Sequence, residues 1–452
     1  MKIKLTALIA VMLVLTFVLS GCSLEIKSPE NLMRPPKLTG GYQDLQDTFE
    51  SVVGSNVNLL TPMNGDCKSA FIIGDFNSDS KEDAMVFYSS KDGDDVANIS
   101  VFEKRDGVWT YLKTVAGLGN SVDTVVVEDL NGDSVKEIIV GWNLYSLNKQ
   151  FSVYEPDSSD QANFFVSLGS YQYNLFSVTD INSDSNKEIF FVSLNTSDNI
   201  HSASAGVLGF KGGNKLQMLG STPIDGNVSG YSSIVTDSVD GKQVVLVDAY
   251  KNEHDMITDI IVWDSASGNI TSPLFDAQTQ TTSATWRDCR LPVSDIDGDS
   301  HPDIPVGVPI AGSSSVVGGE LTGESFCYIR WSDFNGTKLK AKKYSLYNFS
   351  EGYMLNIPSS WVGKITLTSL DSQWYFYRWN SSGAEHMGDL LFSVVSHSTG
   401  TVSIEGYNHL SDYNDKTFEY QITESGKKFG ITDENITKGF SLITEVQGVT
   451  TK

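Results

Sequence analysis

Phe71-Ile72-Ile73-Gly74-Asp75-Phe76-Asn77-Ser78-Asp79-Ser80-Lys81-Glu82-Asp83 leads straight into the apolar run Ala84-Met85-Val86-Phe87-Tyr88. Two short apolar runs flank a segment in which alternate residues carry oxygen, a pattern that reads as strand, acidic loop, strand. The segment returns as Asp129-Leu130-Asn131-Gly132-Asp133-Ser134-Val135-Lys136-Glu137, as Asp180-Ile181-Asn182-Ser183-Asp184-Ser185-Asn186-Lys187-Glu188 and as Asp295-Ile296-Asp297-Gly298-Asp299-Ser300-His301-Pro302-Asp303. The leading aspartates stand at 75, 129, 180 and 295, so the last interval is two periods long. A worn copy sits inside it, Val235-Thr236-Asp237-Ser238-Val239-Asp240-Gly241, followed by a strand at Gln243 to Val247. There are therefore five units.

Every unit continues in the same way. A β-rich run follows the loop, then an irregular connection, then a hairpin turning at Arg105-Asp106-Gly107, Asp157-Ser158-Ser159, Gly212-Gly213-Asn214, Ser267-Gly268-Asn269 or Asn335-Gly336. Four-stranded units at a fixed period of this length predict a β-propeller. The units resemble FG-GAP or VCBS-type repeats, which are propeller blades with a calcium loop between their first two strands, as in integrin α-subunit heads. The resemblance covers residues 67–346 and implies a mainly β chain with a five-bladed propeller. The fourth unit departs from the pattern, because Val245 stands where the last acid would be.

Calcium takes six to eight oxygen ligands in a flexible shell. Alternate residues of a tight loop can turn side-chain oxygens onto one centre, with the backbone carbonyl of the seventh residue among them. The four candidate sets are Asp75, Asn77, Asp79, Lys81 and Asp83; Asp129, Asn131, Asp133, Val135 and Glu137; Asp180, Asn182, Asp184, Asn186 and Glu188; and Asp295, Asp297, Asp299, His301 and Asp303. Lys81, Val135, Asn186 and His301 would act through the main chain, so the His301 imidazole is a bystander. Asp, Asn, Gly and Ser also favour turns through side chain to backbone bonds. Turn chemistry does not call for an acid at the end of the loop, however, and packed carboxylates without a cation repel one another. About four structural Ca²⁺ ions are expected, with little room left for Lewis-acid chemistry on a substrate.

In such a blade the calcium loops share one face, and the longer, more varied connections share the other. Trp142, Tyr145, Lys251, His254, Trp286, Arg287 and Arg290 fall on or beside those connections and are the candidate ligand residues. Flat aromatics beside polar groups suit sugar rings or extended peptides. Packing between blades is the competing use of the aromatics. The six histidines are scattered, with no His-x-x-x-His or Gly-x-Ser-x-Gly pattern, so no catalytic constellation stands out.

The ends of the chain give its address. Lys2 and Lys4 precede an apolar run from Leu5 to Leu19, the order of a secretory signal peptide. Leu19-Ser20-Gly21-Cys22 resembles the bacterial lipobox, which implies cleavage after residue 21 and lipidation of Cys22, as with palmitate. Residues 22–41, with Pro29, Pro35 and Pro36, read as a tether, and 42–66 as an amphipathic helix and lead-in. Cys67, Cys289 and Cys327 allow at most one internal disulfide, Cys67 to Cys289 or Cys67 to Cys327 being the candidates, with free buried thiols as the alternative. Residues 347–452 read as a small α+β or β-rich accessory domain, a sixth blade being the alternative. A formal charge of −24 argues against nucleic acid as a partner and leaves the lipid to hold the chain at the cell membrane, on its extracytoplasmic face. The expected function is a calcium-binding module for protein or glycan ligands at the cell envelope. The alternative is a lyase or hydrolase acting on an envelope polysaccharide from the face opposite the calcium loops.

Overall fold

The computed structural model describes residues 42–443, except for 94, 145–147, 158–163, 197–200, 212–214 and 383–385. The expected signal segment, Cys22 and the tether, as well as Tyr145, lie outside these residues. No helix among the described residues is long and apolar enough to cross a membrane.

The chain is mainly β and forms six largely antiparallel sheets in sequence order. The first contains β1 (Val57–Leu59), β2 (Phe71–Gly74), β3 (Asp83–Ser90), β4 (Ala97–Arg105) and β5 (Val108–Ala116). The second is the meander β6 (Ser121–Glu128), β7 (Glu137–Asn143), β8 (Lys149–Pro156) and β9 (Phe165–Tyr173). The third is β10 (Leu175–Thr179), β11 (Glu188–Asn195), β12 (Ser202–Phe210) and β13 (Leu216–Ile224), and the fourth is β14 (Gly230–Val239), β15 (Lys242–Tyr250), β16 (Met256–Asp264) and β17 (Asn269–Thr271). These repeat the strand, loop, strand, connection, hairpin order read from the sequence, and the turns at 105–108 and 264–269 fall where expected. The turns expected at Ser158-Ser159 and at Gly212 to Asn214 lie outside the described residues.

The sheets stack face to face, which explains the unbroken apolar runs. In β3, Met85 and Phe87 pack with Trp142 of the second sheet, while Ala84, Val86 and Tyr88 pack on the other side. A strand buried on both faces has no solvent side to alternate with, so it reads as continuous hydrophobic sequence. Further clusters join the second sheet to the third through Phe151 and Phe191, the third to the fourth through Val192 and Val247, and the fourth to the fifth through Leu246 and Ile304. The outer face of the first sheet is covered by helix α1 (Gln43–Val53), whose Leu45 and Phe49 are buried against Phe71, Val86 and Phe102. That is the docking expected of the amphipathic segment after residue 42.

The boundary expected at residue 346 is not where the chain divides. The fifth sheet has the order β18 (Ile304–Pro309), β21 (Cys327–Phe334), β22 (Leu339–Asn348), β23 (Tyr353–Ile357) and β29 (Phe440–Leu442), so it runs past 346 and takes its last strand from the end of the described chain. Conversely, β19 (Ser314–Val317) and β20 (Glu320–Leu321) leave the fifth unit to join the sixth sheet. There β19 pairs parallel with β24 (Ile365–Leu370), ahead of β25 (Gln373–Trp379), β26 (Met387–Ser398), β28 (Lys416–Ile422) and β27 (Asn408–Tyr413). One hydrophobic cluster, including Tyr328, Leu355, Trp374, Phe392 and Leu442, spans the fifth and sixth sheets. The last hundred residues are thus β-rich as expected, with short helices α2 (Glu424–Phe429) and α3 (Asp433–Gly439), but they share a core and exchange strands with the fifth unit.

Candidate functional site

The four acidic loops have one backbone. The fourth and sixth residues of each lie in the left-handed region: Ser78 and Ser80, Gly132 and Ser134, Ser183 and Ser185, Gly298 and Ser300. Serine is unfavourable there, and the side-chain bonds of the loop offset that cost. The leading aspartate accepts the sixth residue's N–H at 2.9, 2.9, 3.0 and 2.9 Å in chain order. The fifth residue, an aspartate in every loop, accepts the seventh residue's N–H at 2.9, 2.8, 2.9 and 2.9 Å, from Lys81 to Asp79, Val135 to Asp133, Asn186 to Asp184 and His301 to Asp299.

The terminal acid is the first residue of the following strand, or in the last loop the residue just before it, and accepts the N–H of the second loop residue: Phe76 to Asp83 at 3.0 Å, Leu130 to Glu137 at 2.8 Å, Ile181 to Glu188 at 2.9 Å and Ile296 to Asp303 at 3.1 Å. All four terminal acids are at most 2 % exposed. Burial above all, with neighbouring acids such as Asp79, Asp133 and Asp184 adding to it, raises these carboxyls, to about 7 for Asp83, Glu137 and Glu188. In the first loop Asp75 Oδ1 and Asp83 Oδ1 are buried with no hydrogen-bond partner. Orphaned buried oxygens on carboxylates, together with the asparagine side-chain oxygen of the same loop, make a hard-oxygen donor set that fits a divalent cation such as Ca²⁺.

The loops lie side by side along one edge of the stack. Lys136 N donates to Phe76 O at 2.8 Å and the Ser78 hydroxyl donates to Ser134 O, joining the first loop to the second. The second and third are neighbours through Gly132 and Asn186. His301 Nδ1 lies 2.9 Å from Asp237 Oδ1, so the ring is engaged outside its own loop. The worn fourth copy has no loop. Val239 pairs with Lys242, and Asp240 and Gly241, both with positive φ, close a two-residue hairpin. The Asp-Gly pair, not a missing acid alone, ends the metal motif there.

Two of the candidate ligand residues are interior. Trp142 is fully buried against Phe87 and donates from Nε1 to Ser152 Oγ at 3.2 Å. Arg287 is also fully buried: its guanidinium bonds Asp248 Oδ1 at 2.8 Å, Leu291 O at 2.6 Å and Thr258 Oγ1 at 3.1 Å. Lys251 is held by Asp225 at 2.9 Å, and Asp225 in turn accepts Thr282 N at 2.9 Å. The rest of the set does face outward. His254 and Arg290 are exposed, with the Arg290 guanidinium 4.9 Å over the Tyr250 ring, and half-buried Trp286 donates to Asp255 at 3.1 Å.

Sequence reasoning missed the acids that hold these cations, Asp225 and Asp248, and also Asp123, which binds Lys149 at 2.9 Å and accepts the Tyr173 hydroxyl at 2.5 Å. Their only signal is an isolated Asp within an apolar strand, as for Asp123 and Asp248, or just past the end of one, as for Asp225. At the strand ends away from the acidic loops, the second and third sheets form a polar cleft of about 950 Å³, lined by Asn148, Gln172, Ser193, Asn195, Ser204 and Thr222. Cys67, Cys289 and Cys327 are free thiols, so neither expected bridge is present. Cys289 and Cys327 line one cavity together, whereas Cys67 packs into the core between the first two sheets.

No family model matches the chain, and no curated protein does. Among solved structures it is similar to a rhamnogalacturonan lyase of Bacillus licheniformis, at 13 % identity over 52 % of this chain and 57 % of that one, with a TM-score of 0.29. It is also similar to fructan 1-exohydrolase IIa of Cichorium intybus, at 13 % identity over 67 % of this chain and 60 % of that one, with a TM-score of 0.27. The chain spans less than two thirds of either.

Truncating Arg287 leaves Asp248 buried and unpaired, which costs about 3–5 kcal/mol. Arg287→Ala is therefore expected to lower the thermal midpoint sharply, and a melt within a degree or two of wild type would contradict the structural role. In EDTA, stability should also fall as pH rises. Asp83, Glu137 and Glu188 titrate near 7 in the fold, against ordinary carboxylate values when unfolded. Between about pH 4 and 7 the unfolded chain therefore holds fewer protons, and each raised carboxyl loses its contribution as pH climbs through its folded value. Denaturant melts in EDTA across that window check the sign.

Proposed function

We propose that the sheets are propeller-type blades, five of them from the repeat, stabilised by calcium in the acidic loops along one edge. The protein is an extracytoplasmic module, anchored through lipid on Cys22, that binds protein or glycan ligands on the opposite edge. The buried, partnerless carboxylate oxygens of Asp75 and Asp83 are the observation that carries the calcium reading. Four loops with matching backbone and terminal acids extend it along the chain.

The polar cleft between the second and third sheets supports the ligand reading. Its amide and hydroxyl groups are uncharged and can both donate and accept, the chemistry that meets sugar hydroxyls or an extended peptide backbone. Asn148 and Gln172 come from one sheet and Ser193, Ser204 and Thr222 from the next, so a ligand seated there would bridge two units.

Calcium titrated into the EDTA-treated full chain should raise the thermal midpoint by many degrees. Each site filled to about 100 times its dissociation constant adds roughly 2.7 kcal/mol. Asp79→Ala should weaken that response while sparing ligand binding at saturating calcium. An unchanged midpoint and no bound calcium would remove the metal from the account. Envelope glycans and peptides screened against the calcium-loaded chain test the second half. Saturable binding with the ligand recovered intact supports the module, whereas shortened or unsaturated sugar products would establish the polysaccharide-cleaving alternative.

A further inference from the structure

The loop at 295–303 differs from the other three in how many of its carboxylates one ammonium touches, since in the first loop Lys81 Nζ reaches Asp79 alone of the loop's acids, at 2.9 Å. Lys342 Nζ lies 2.7 Å from Asp297, 2.9 Å from Asp299, 3.0 Å from Asp303 and 3.3 Å from Asp333, with its side chain only 18 % exposed. Asp295, Asp297 and Asp303 are the one group of three acids among the described residues whose oxygens all fall within 4.8 Å of one another. A single ammonium is thus already at the place where the loop's charge converges.

The backbone puts it there through a bulge that recurs along the chain. In each loop-bearing unit the pairing of the last two strands slips by one residue, between Val101 and Phe102, Val153 and Tyr154, Val207 and Leu208, and Trp331 and Ser332. Phe102, Tyr154, Leu208 and Ser332 each pair with the residue just after the terminal acid: Ala84, Ile138, Ile189 and Ile304. The four bulges are therefore in register, and the residues they leave unpaired are Leu112, Leu168, Leu219 and Lys342. An extra residue in one strand re-aims its side chain. In the third unit that side chain lies against the terminal acid, since a Cβ placed on Gly209 would meet both Leu219 and the Glu188 side chain within 3 Å. Leucine there is an apolar wall, and lysine at the same position reaches the carboxylates. Asp333, which follows the Ser332 paired with Ile304, adds a further carboxylate to the set.

We propose that Lys342 is the built-in cation of the fourth loop, so that the chain binds three calcium ions and its own ammonium takes the place of the fourth. The inference rests on the calcium reading above and corrects the count of about four expected from the motif. A tethered ammonium with three donors shares the site with carboxylates at no cost in association, and an incoming ion must displace it. The loop at 295–303 consequently keeps its shape whether or not calcium is present.

Calorimetric titration of the EDTA-treated, dialysed full chain with calcium chloride at neutral pH tests this. The wild type should bind three ions, and Lys342→Leu, which installs the residue type of the other three units, should bind four. The reciprocal Leu219→Lys should bind two and serves even if Lys342→Leu does not fold. Four ions on the wild type, three on both the wild type and a folded Lys342→Leu, or three on a folded Leu219→Lys would each overturn the inference. No binding by any of the three proteins would remove the calcium reading itself, and this inference with it.

Discussion

Each acidic loop ends in a carboxylate that the fold takes out of water. Asp83, Glu137 and Glu188 open the second strand of their units and Asp303 immediately precedes β18, and these strands have sheets or a helix packed on their faces. The acid cannot turn outward without pulling its strand out of register, so its charge has to be settled inside the loop. Everything distinctive about this edge follows from that. The amide of the second loop residue satisfies one oxygen, and the remaining oxygens turn toward the same centre as those of the leading aspartate. The choice is then among a bound proton, an inorganic cation and a cationic side chain. In the fourth loop Lys342 supplies the last of these, while Asp83, Glu137 and Glu188, without such a partner, are pushed to about 7 by burial.

The opposite edge settles buried charge differently. Asp123 pairs with Lys149, Asp225 with Lys251 and Asp248 with Arg287, each cation coming from a different strand or segment than its acid. Those pairs are satisfied within the fold, and the polar groups of the cleft lie beside them on the same edge. One edge thus holds surplus negative charge in repeated loops, and the other pairs Asp123, Asp225 and Asp248 with cations and carries a cleft rich in amides and hydroxyls.

What the sequence makes legible is what repeats at short range. Loop positions, terminal acids, second strands and most hairpins can all be read from a motif spanning nine residues, because the same local geometry is used each time. What it hides depends on partners far along the chain. Arg287 looks like a surface cation until Asp248, 39 residues earlier, is seen to bury it. Trp142 looks like a ligand platform until the first sheet covers it. The role of Lys342 emerges only when four hairpins are aligned by their bulges, since nothing in Lys340-Ala341-Lys342-Lys343 singles out one lysine. The misplaced boundary at 346 has the same origin: β19 and β29 join sheets that their neighbours in sequence do not predict.

That exchange of strands bears on how the chain assembles. The second, third and fourth sheets are meanders whose neighbours in space are neighbours in sequence, and the first departs from this only where β1 adds to the edge of β3, so each can close from local contacts and stack on the one before it. The fifth and sixth cannot form separately. The fifth lacks its outer strand until Phe440–Leu442 has arrived, and the sixth begins with Ser314–Val317, drawn from the middle of the fifth. The carboxyl-terminal pair is therefore a single cooperative block of high contact order. Its closure requires distant pairings such as Tyr353 with Leu442, unlike the local closure of the second to fourth sheets.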